Sequence, residues 1–307
     1  RFDEQNNIEW SERMEEAGCR VIYGFEGYKV HSKICLITYR NKNTIRYITQ
    51  IGTGNYNEKT AKMYTDFSLL TGDQEIGEDA AVFFKNMSIA NLNGTYRHLI
   101  VSPSSLKPKV LELMDEEIAK GGGGRILMKM NSVTDIDFIH KVAEASRAGV
   151  KIDLIVRGIC ALRPGIPGVS ENIRVRSIVG WLLEHSRIYY FHNDGHEECY
   201  LSSADWMTRN LDRRVELLFP IEEERLMERL KEILRTQLCD TQKARLMDRD
   251  GNYVKVDGRG KPAVNSQEVF YERAVQAARD YGQEESGMIF KPLEAPEEDM
   301  EYKDQEE

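Results

Sequence analysis

Short apolar runs alternate with longer amphipathic stretches along this chain, and the alternation passes through two cycles. Strands that alternate with helices build a sheet with helices layered on it, so the pattern predicts an α/β fold. In the first cycle, residues 3–18 carry Ile8, Met14 and Ala17 among charges and close on Gly18, as an amphipathic helix with a glycine cap does. Strand-like runs follow at 19–23, 33–39, 45–51 and 67–70, and helical character returns over 73–89. The second cycle predicts a strand at 98–101, a helix over 106–119, a glycine run at 121–124, and then strand 125–130, helix 133–148 and strand 151–157, a β-α-β unit. Further strands are expected at 173–177, 187–191, 199–201 and 215–220, with a helix over 222–238. The boundary between the cycles lies within 90–97, which gives two domains, 1–96 and 97–285, and an acidic stretch, 286–307, read as a disordered tail.

Composition narrows the class. At 307 residues the chain is long enough for two cores, and 41% hydrophobic with 30% charged residues is ordinary for a soluble globular protein. No apolar run reaches the roughly 18 residues that span a bilayer. The formal charge of −9 argues against a nucleic-acid binder, which usually carries a basic surplus. Five scattered cysteines without a C-x-x-C pair read as reduced thiols of a cytoplasmic protein, and no Cys/His spacing suits zinc. The chain opens on Arg1-Phe2-Asp3-Glu4 with no initiator Met and no leader, so it reads as a piece of something longer without a signal peptide.

Each cycle holds one histidine followed, two residues on, by a base at the head of a strand. The first is Val30-His31-Ser32-Lys33, followed after the next strand by Gly52-Thr53-Gly54-Asn55. On a strand, His31 and Lys33 point to the same face. A neutral imidazole nitrogen can attack phosphorus, an ammonium beside it steadies the oxyanions, and glycines let backbone approach a phosphate while Asn55 adds an amide donor. The second is Glu184-His185-Ser186-Arg187, followed by Ser202-Ser203-Ala204-Asp205. A single such motif is more often a half-buried strand with a polar edge. Its recurrence in the second cycle is what favours a site.

These residues resemble the HKD motif of the phospholipase D superfamily. Longer runs are more specific: Arg1-Phe2-Asp3-Glu4, Gly52-Thr53-Gly54-Asn55-Tyr56-Asn57-Glu58-Lys59-Thr60-Ala61, Tyr64-Thr65-Asp66, Val156-Arg157-Gly158, Glu184-His185 and Asn210 resemble the C-terminal half of bacterial polyphosphate kinase, from Arg1 to about Ala278. The resemblance implies two phospholipase D-like domains, each a mixed β-sheet flanked by helices, with the active site between them. It implies reversible transfer of the terminal phosphate of ATP to inorganic polyphosphate through a phosphohistidine. His31 would be the phosphorylated nucleophile and His185 the opposing acid/base or phosphate-contacting group. Tyr64, Arg157 and His185 match nucleotide-binding positions, and Arg1 matches a basic position that contacts the magnesium-phosphate group. Mg2+ is the expected ion, held largely by phosphates and water because hard cations prefer oxygen. A homo-oligomer and peripheral membrane association come with the resemblance, while the residues themselves fix neither.

The residues can be weighed for the same roles. Arg157 ends a predicted strand, where a guanidinium can fork onto two phosphate oxygens, although a solvated strand-end arginine is the commoner case. Tyr64 can stack on adenine, but taken alone is more often a core aromatic. Asp66 can orient an active-site imidazole or merely cap a strand. Lys33 and Arg187, with Lys59, Arg209, Arg213 and Arg214, can line a path for a polyanion by point charges without sequence reading. Arg187 for Lys, and Ser202-Ser203-Ala204-Asp205 for a glycine turn ending in Asn, depart from the phospholipase D motif and favour the kinase branch. Two other readings stand beside it: a phospholipase D-like phosphodiesterase, and an incomplete fragment that only binds nucleotide or polyphosphate.

Overall fold

The computed structural model describes residues 4–284. Its first half runs through α1 (Glu4–Glu16), β1 (Lys29–Val30), β2 (Lys33–Asn41), β3 (Thr44–Gly52), α2 (Glu58–Ala61), β4 (Tyr64–Thr65), β5 (Ser68–Thr71) and α3 (Gln74–Ser88). The second half begins with β6 (Ile100–Val101), α4 (Leu106–Ala119), β7 (Arg125–Met130), α5 (Ile136–Arg147), β8 (Lys151–Val156), β9 (Ile173–Ile178) and β10 (Leu183–Glu184). It continues with β11 (Arg187–Phe191), β12 (Glu198–Ser202), α6 (Thr208–Asp212), β13 (Arg214–Val215), β14 (Leu217–Pro220), α7 (Glu224–Leu238), β15 (Ala244–Met247), β16 (Tyr253–Lys255) and α8 (Ser266–Glu284). Two compact units divide the chain, Arg1–Ser266 and Gln267–Glu307, and both strand–helix cycles lie in the first. Arg1 and the stretch 286–307 lie outside the described residues.

Nine strands form one mixed sheet, ordered β16-β15-β9-β8-β7-β11-β12-β14-β6. β7, β8 and β9 are parallel, and α5 makes the crossover between the first two. Along β7, Ile126 and Met128 turn to one face, in a cluster with Val110 and Met114 of α4 and Phe138 and Val142 of α5. Leu127 turns to the other face, in a cluster with Phe83 and Met87 of α3 and Leu230 and Leu234 of α7. Helix α3 of the first half therefore shares the core of the second half's sheet. Each such side chain removed from water contributes about 1.5–3 kcal/mol, which welds the two halves into one body. A sheet covered on both faces needs no polar alternation, and β11 is buried at every position.

The first half has its own sheet, β2-β3-β5. A mixed sheet was expected in each half; the second half has one, whereas this smaller sheet is antiparallel throughout. The tight turn at Lys42 and Asn43 between β2 and β3 permits only antiparallel neighbours. Residues 19–23, expected as a strand, form none: Cys19, Ile22 and Tyr23 are exposed and no neighbour takes up their backbone in a ladder. The β15–β16 hairpin was not foreseen. Between the halves, the buried Asp79 carboxylate accepts the amides of Arg97, His98 and Leu99 at 2.7–3.0 Å, which pins the connection to α3. Two short parallel ladders cross between the halves, β1 with β13 and β4 with β10.

Candidate active site

Those crossing ladders place the two histidines. Val30 lies opposite Val215, so the next residues, His31 and Glu216, meet; Glu184 lies opposite Thr65, so His185 meets Asp66. The backbone repeats the device. The amides of His31 and Ser32 both donate to the Val215 carbonyl at 2.9 and 3.0 Å, and those of His185 and Ser186 both donate to the Thr65 carbonyl at 3.3 and 3.0 Å. Each histidine thus takes its carboxylate from the opposite half.

The side chains continue the symmetry. His31 Nδ1 lies 2.8 Å from Glu216 Oε2, which also accepts the Ser203 hydroxyl at 2.5 Å; Ser203 Oγ in turn accepts the Leu217 amide. His185 Nδ1 lies 2.8 Å from Asp66 Oδ1, which also accepts the Thr53 hydroxyl at 2.7 Å; Thr53 Oγ1 accepts the Phe67 amide. A carboxylate facing Nδ1 fixes the proton there and leaves the lone pair on Nε2. Gly54 is required by this arrangement, because a Cβ there would stand 2.6 Å from the Asp66 carboxyl.

Beyond the relays the halves differ. His31 Nε2 has no protein hydrogen-bond partner among the described residues, and the buried Lys33 ammonium beside it donates to the His31 carbonyl and touches no carboxylate within ion-pair distance. In the second half the equivalent cation is committed. Arg187 donates from Nε and Nη2 to Asp205 at 3.2 and 2.9 Å and from Nη1 to the His185 carbonyl at 2.8 Å, and Nη1 also lies against the His185 ring, 3.1 Å from Nε2 and 3.4 Å from Nδ1. Asn131, just past β7, donates from Nδ2 to the His185 carbonyl at 3.0 Å and accepts Arg157 Nε on Oδ1 at 3.0 Å. Lys129, on the same face of β7, donates to the carbonyl and hydroxyl of Ser186 and pairs with Glu184 at 3.2 Å.

Burial lowers the pKa of both histidines, and their carboxylates only partly restore it, so both imidazoles are neutral at pH 7. Burial also brings Lys33 down to about 7, with Glu216 opposing and Arg187 adding to the shift. Burial works against ionised Asp205, yet the Arg187 guanidinium holds it below the usual carboxylate range.

The residues singled out from sequence fall as follows. His31, Lys33, His185, Arg187 and Asp66 converge, since Lys33 feels the charges of Arg187 and Asp66 and Arg187 acts on both histidines. The Tyr64 ring lies 5.1 Å from that of His185, centroid to centroid. Tyr64, Asn55, Gly54 and Asp66 line a pocket of about 270 Å³. Arg157 is half-buried, with its terminal amino groups unpartnered among the described residues. Arg214 Nη1 reaches within 3.8 Å of Glu216, whereas Lys59, Arg209 and Arg213 are exposed. Glu216, Asn131 and Lys129 were not anticipated, and Thr53 and Ser203 stood in the two motif turns with no part assigned to them. A signal existed for Glu216, which stands as far beyond Asp205 as Asp66 stands beyond Asn55. Among the described residues no group of three or more His, Cys, Asp or Glu side chains is placed to hold a metal ion.

Two α/β halves that each deliver a histidine and a base to one centre form the phospholipase D-like arrangement that the motifs implied. The chain belongs to the polyphosphate kinase family: the model of "Polyphosphate kinase C-terminal domain 1" matches residues 1–92 and that of "Polyphosphate kinase C-terminal domain 2" matches residues 99–267. It is 50% identical to a polyphosphate kinase of Staphylococcus haemolyticus (strain JCSC1435) over 92% of this chain and 39% of that protein. The crystal structure of the polyphosphate kinase of Porphyromonas gingivalis superposes with a TM-score of 0.82 at 37% identity, over 90% of this chain and 43% of that one. A phosphatidylserine synthase of Haemophilus influenzae Rd KW20 shares the fold alone, with a TM-score of 0.50 at 10% identity over 84% of this chain and 72% of that one. The chain spans about two fifths of the length of the curated relatives it matches. No helix among the described residues is long and apolar enough to cross a membrane.

Proposed function

We propose that the protein is an ATP:polyphosphate phosphotransferase that works through a phosphohistidine on His31. The observation that carries this reading is the state of that residue: Nδ1 is tied to Glu216 while, among the described residues, Nε2 has no protein partner and the buried Lys33 ammonium beside it has no carboxylate within ion-pair distance. In the first step the Nε2 lone pair attacks the γ-phosphorus of ATP, the bond from that phosphorus to the ADP oxygen breaks, and ADP leaves as an oxyanion. In the second, a terminal oxygen of polyphosphate attacks the phosphoryl group and the N–P bond breaks, which returns neutral His31. Glu216 favours the positive charge that grows on the imidazole as Nε2 bonds phosphorus. Lys33 meets the phosphoryl oxygens, whose charge restores the proton that burial had loosened.

Arg157 offers two terminal amino groups to the nucleotide phosphates, and Tyr64 offers its ring to the base. His185 and Arg187 face the same phosphoryl group from the other half. When bound, magnesium neutralises charge on the nucleotide phosphates, which are its main ligands. Protein exposed briefly to γ-labelled ATP should carry acid-labile, base-stable phosphate that chases into polyphosphate, and His31→Ala should carry none. Cleavage of phosphodiesters without retained phosphate would instead favour the phosphodiesterase, which the committed Arg187–Asp205 pair makes the weaker alternative.

A further inference from the structure

We infer that Asn131 is the positioning residue that couples Arg157 to His185, so that the residue gripping nucleotide phosphate also sets the backbone beneath the second histidine. The inference rests on the kinase reading above. Asn131 is buried at 4% exposure, and its hydrogen-bonding groups are all engaged. Its side-chain oxygen accepts Arg157 Nε at 3.0 Å, while its side-chain nitrogen donates to the His185 carbonyl at 3.0 Å and to Asp205 Oδ1 at 3.2 Å. Its backbone amide donates to Asp205 Oδ1 at 2.7 Å, and its backbone carbonyl accepts the Gly158 amide at 2.7 Å. A Cβ on Gly158 would stand 2.9 Å from that carbonyl, so the close approach of Arg157-Gly158 to Asn131 needs glycine there.

A carboxamide is planar, with one accepting and one donating end, and here the ends serve different parts of the site. A phosphate held by the free amino groups of Arg157 bears on Asn131 Oδ1 through Nε. The other end of the same plane bears on the carbonyl that Arg187 Nη1 also grips, and Arg187 is held by the Asp205 that Asn131 contacts twice. Burial in low dielectric raises the cost of leaving any member unpaired. A side chain placed only for packing would need neither orientation.

Steady-state kcat and KM for ATP, with melting temperature as the folding check, test this in Asn131→Ala, Asn131→Asp, Arg157→Ala and the Arg157→Ala/Asn131→Ala double variant. Loss of a hydrogen bond to a charged partner costs about tenfold or more, so Asn131→Ala should raise KM about tenfold and lower kcat about tenfold. Asn131→Asp keeps the acceptor for Arg157, loses both side-chain donors and sets a carboxylate against Asp205, so it should lower both the melting temperature and kcat with KM near wild type. The double variant should have the KM of Arg157→Ala alone, because that arm acts through Arg157. An unchanged KM in Asn131→Ala, or KM effects that multiply in the double variant, would overturn the coupling. If Asn131→Ala does not fold, Asn131→Asp decides: a KM raised as far as in Arg157→Ala overturns it. Wild-type protein that makes no polyphosphate from ATP sinks the kinase reading itself, and the coupling falls with it.

Discussion

The two halves build the same relay and then spend their cations differently. In each, a hydroxyl holds a carboxylate, the carboxylate holds Nδ1 of a histidine from the other half, and the ladder beneath is parallel. In the first half the base is Lys33, which carries no carboxylate of its own, and Asn55 is exposed. In the second half Arg187 and Asp205 are buried against each other, and the Arg187 guanidinium also lies against the His185 ring. An uncommitted nitrogen beside an uncommitted cation is a place for an incoming phosphoryl group. Beside His185 the cation is already paired with a carboxylate. The difference teaches that duplicated motifs keep their geometry while the ion pairing around them differs, and on the function proposed above that pairing is what assigns the covalent role to His31.

The comparison can be broken first at the carboxylates. Glu216→Gln should slow phosphate uptake by His31 about 10²- to 10⁴-fold, the range for removing a partner of a catalytic imidazole. Asp66→Asn, the same change on the other relay, should slow that uptake by no more than about tenfold. Equal losses in rapid-quench labelling would erase the distinction. Stability comes next. Asp205→Ala leaves the Arg187 charge buried and unpaired and should cost about 3–5 kcal/mol, whereas Asn55→Ala should stay within about 0.5 kcal/mol. Urea midpoints at constant slope measure both.

The pH dependence sharpens the comparison without any substitution. His31 has its pKa below the usual 6.5, so the acid limb of kcat/KM for labelling should lie below that value. Lys33 is protonated below about 7 and loses its charge above it, so the same profile should fall about tenfold per unit on the alkaline side. Lys33→Arg, which stays charged, should remove the alkaline limb at a lower plateau. A limb that persists in that variant would assign it to another group.

Much of the scaffold was readable because its periodicity is local. Helix Leu106–Ala119 and strands Arg125–Met130 and Arg187–Phe191 lie where their apolar patterns place them. Residues 19–23 have strand composition, yet a strand needs a neighbour, and composition does not supply one. The site was readable only where a motif is contiguous, as at His31 with Lys33 and His185 with Arg187. Partners drawn from the other half are 185 residues away for His31 and 119 for His185, and only the pairing register of two short ladders brings them together. Lys129 near the end of β7 and Asn131 just past it follow the apolar run 126–128, where a buried polar residue looks like a strand end until its partners are seen. Asp66 stood out only as a carboxylate close after Tyr64, and its spacing from Asn55, repeated from Asp205 to Glu216, went unused.

The most direct measurement is to locate the phosphate. After a short exposure to ATP, peptide mapping under conditions that preserve phosphohistidine should find the group on His31, and none on the His185 peptide. Phosphate on His185, or undiminished labelling of His31→Ala, would contradict the covalent role given to the first half.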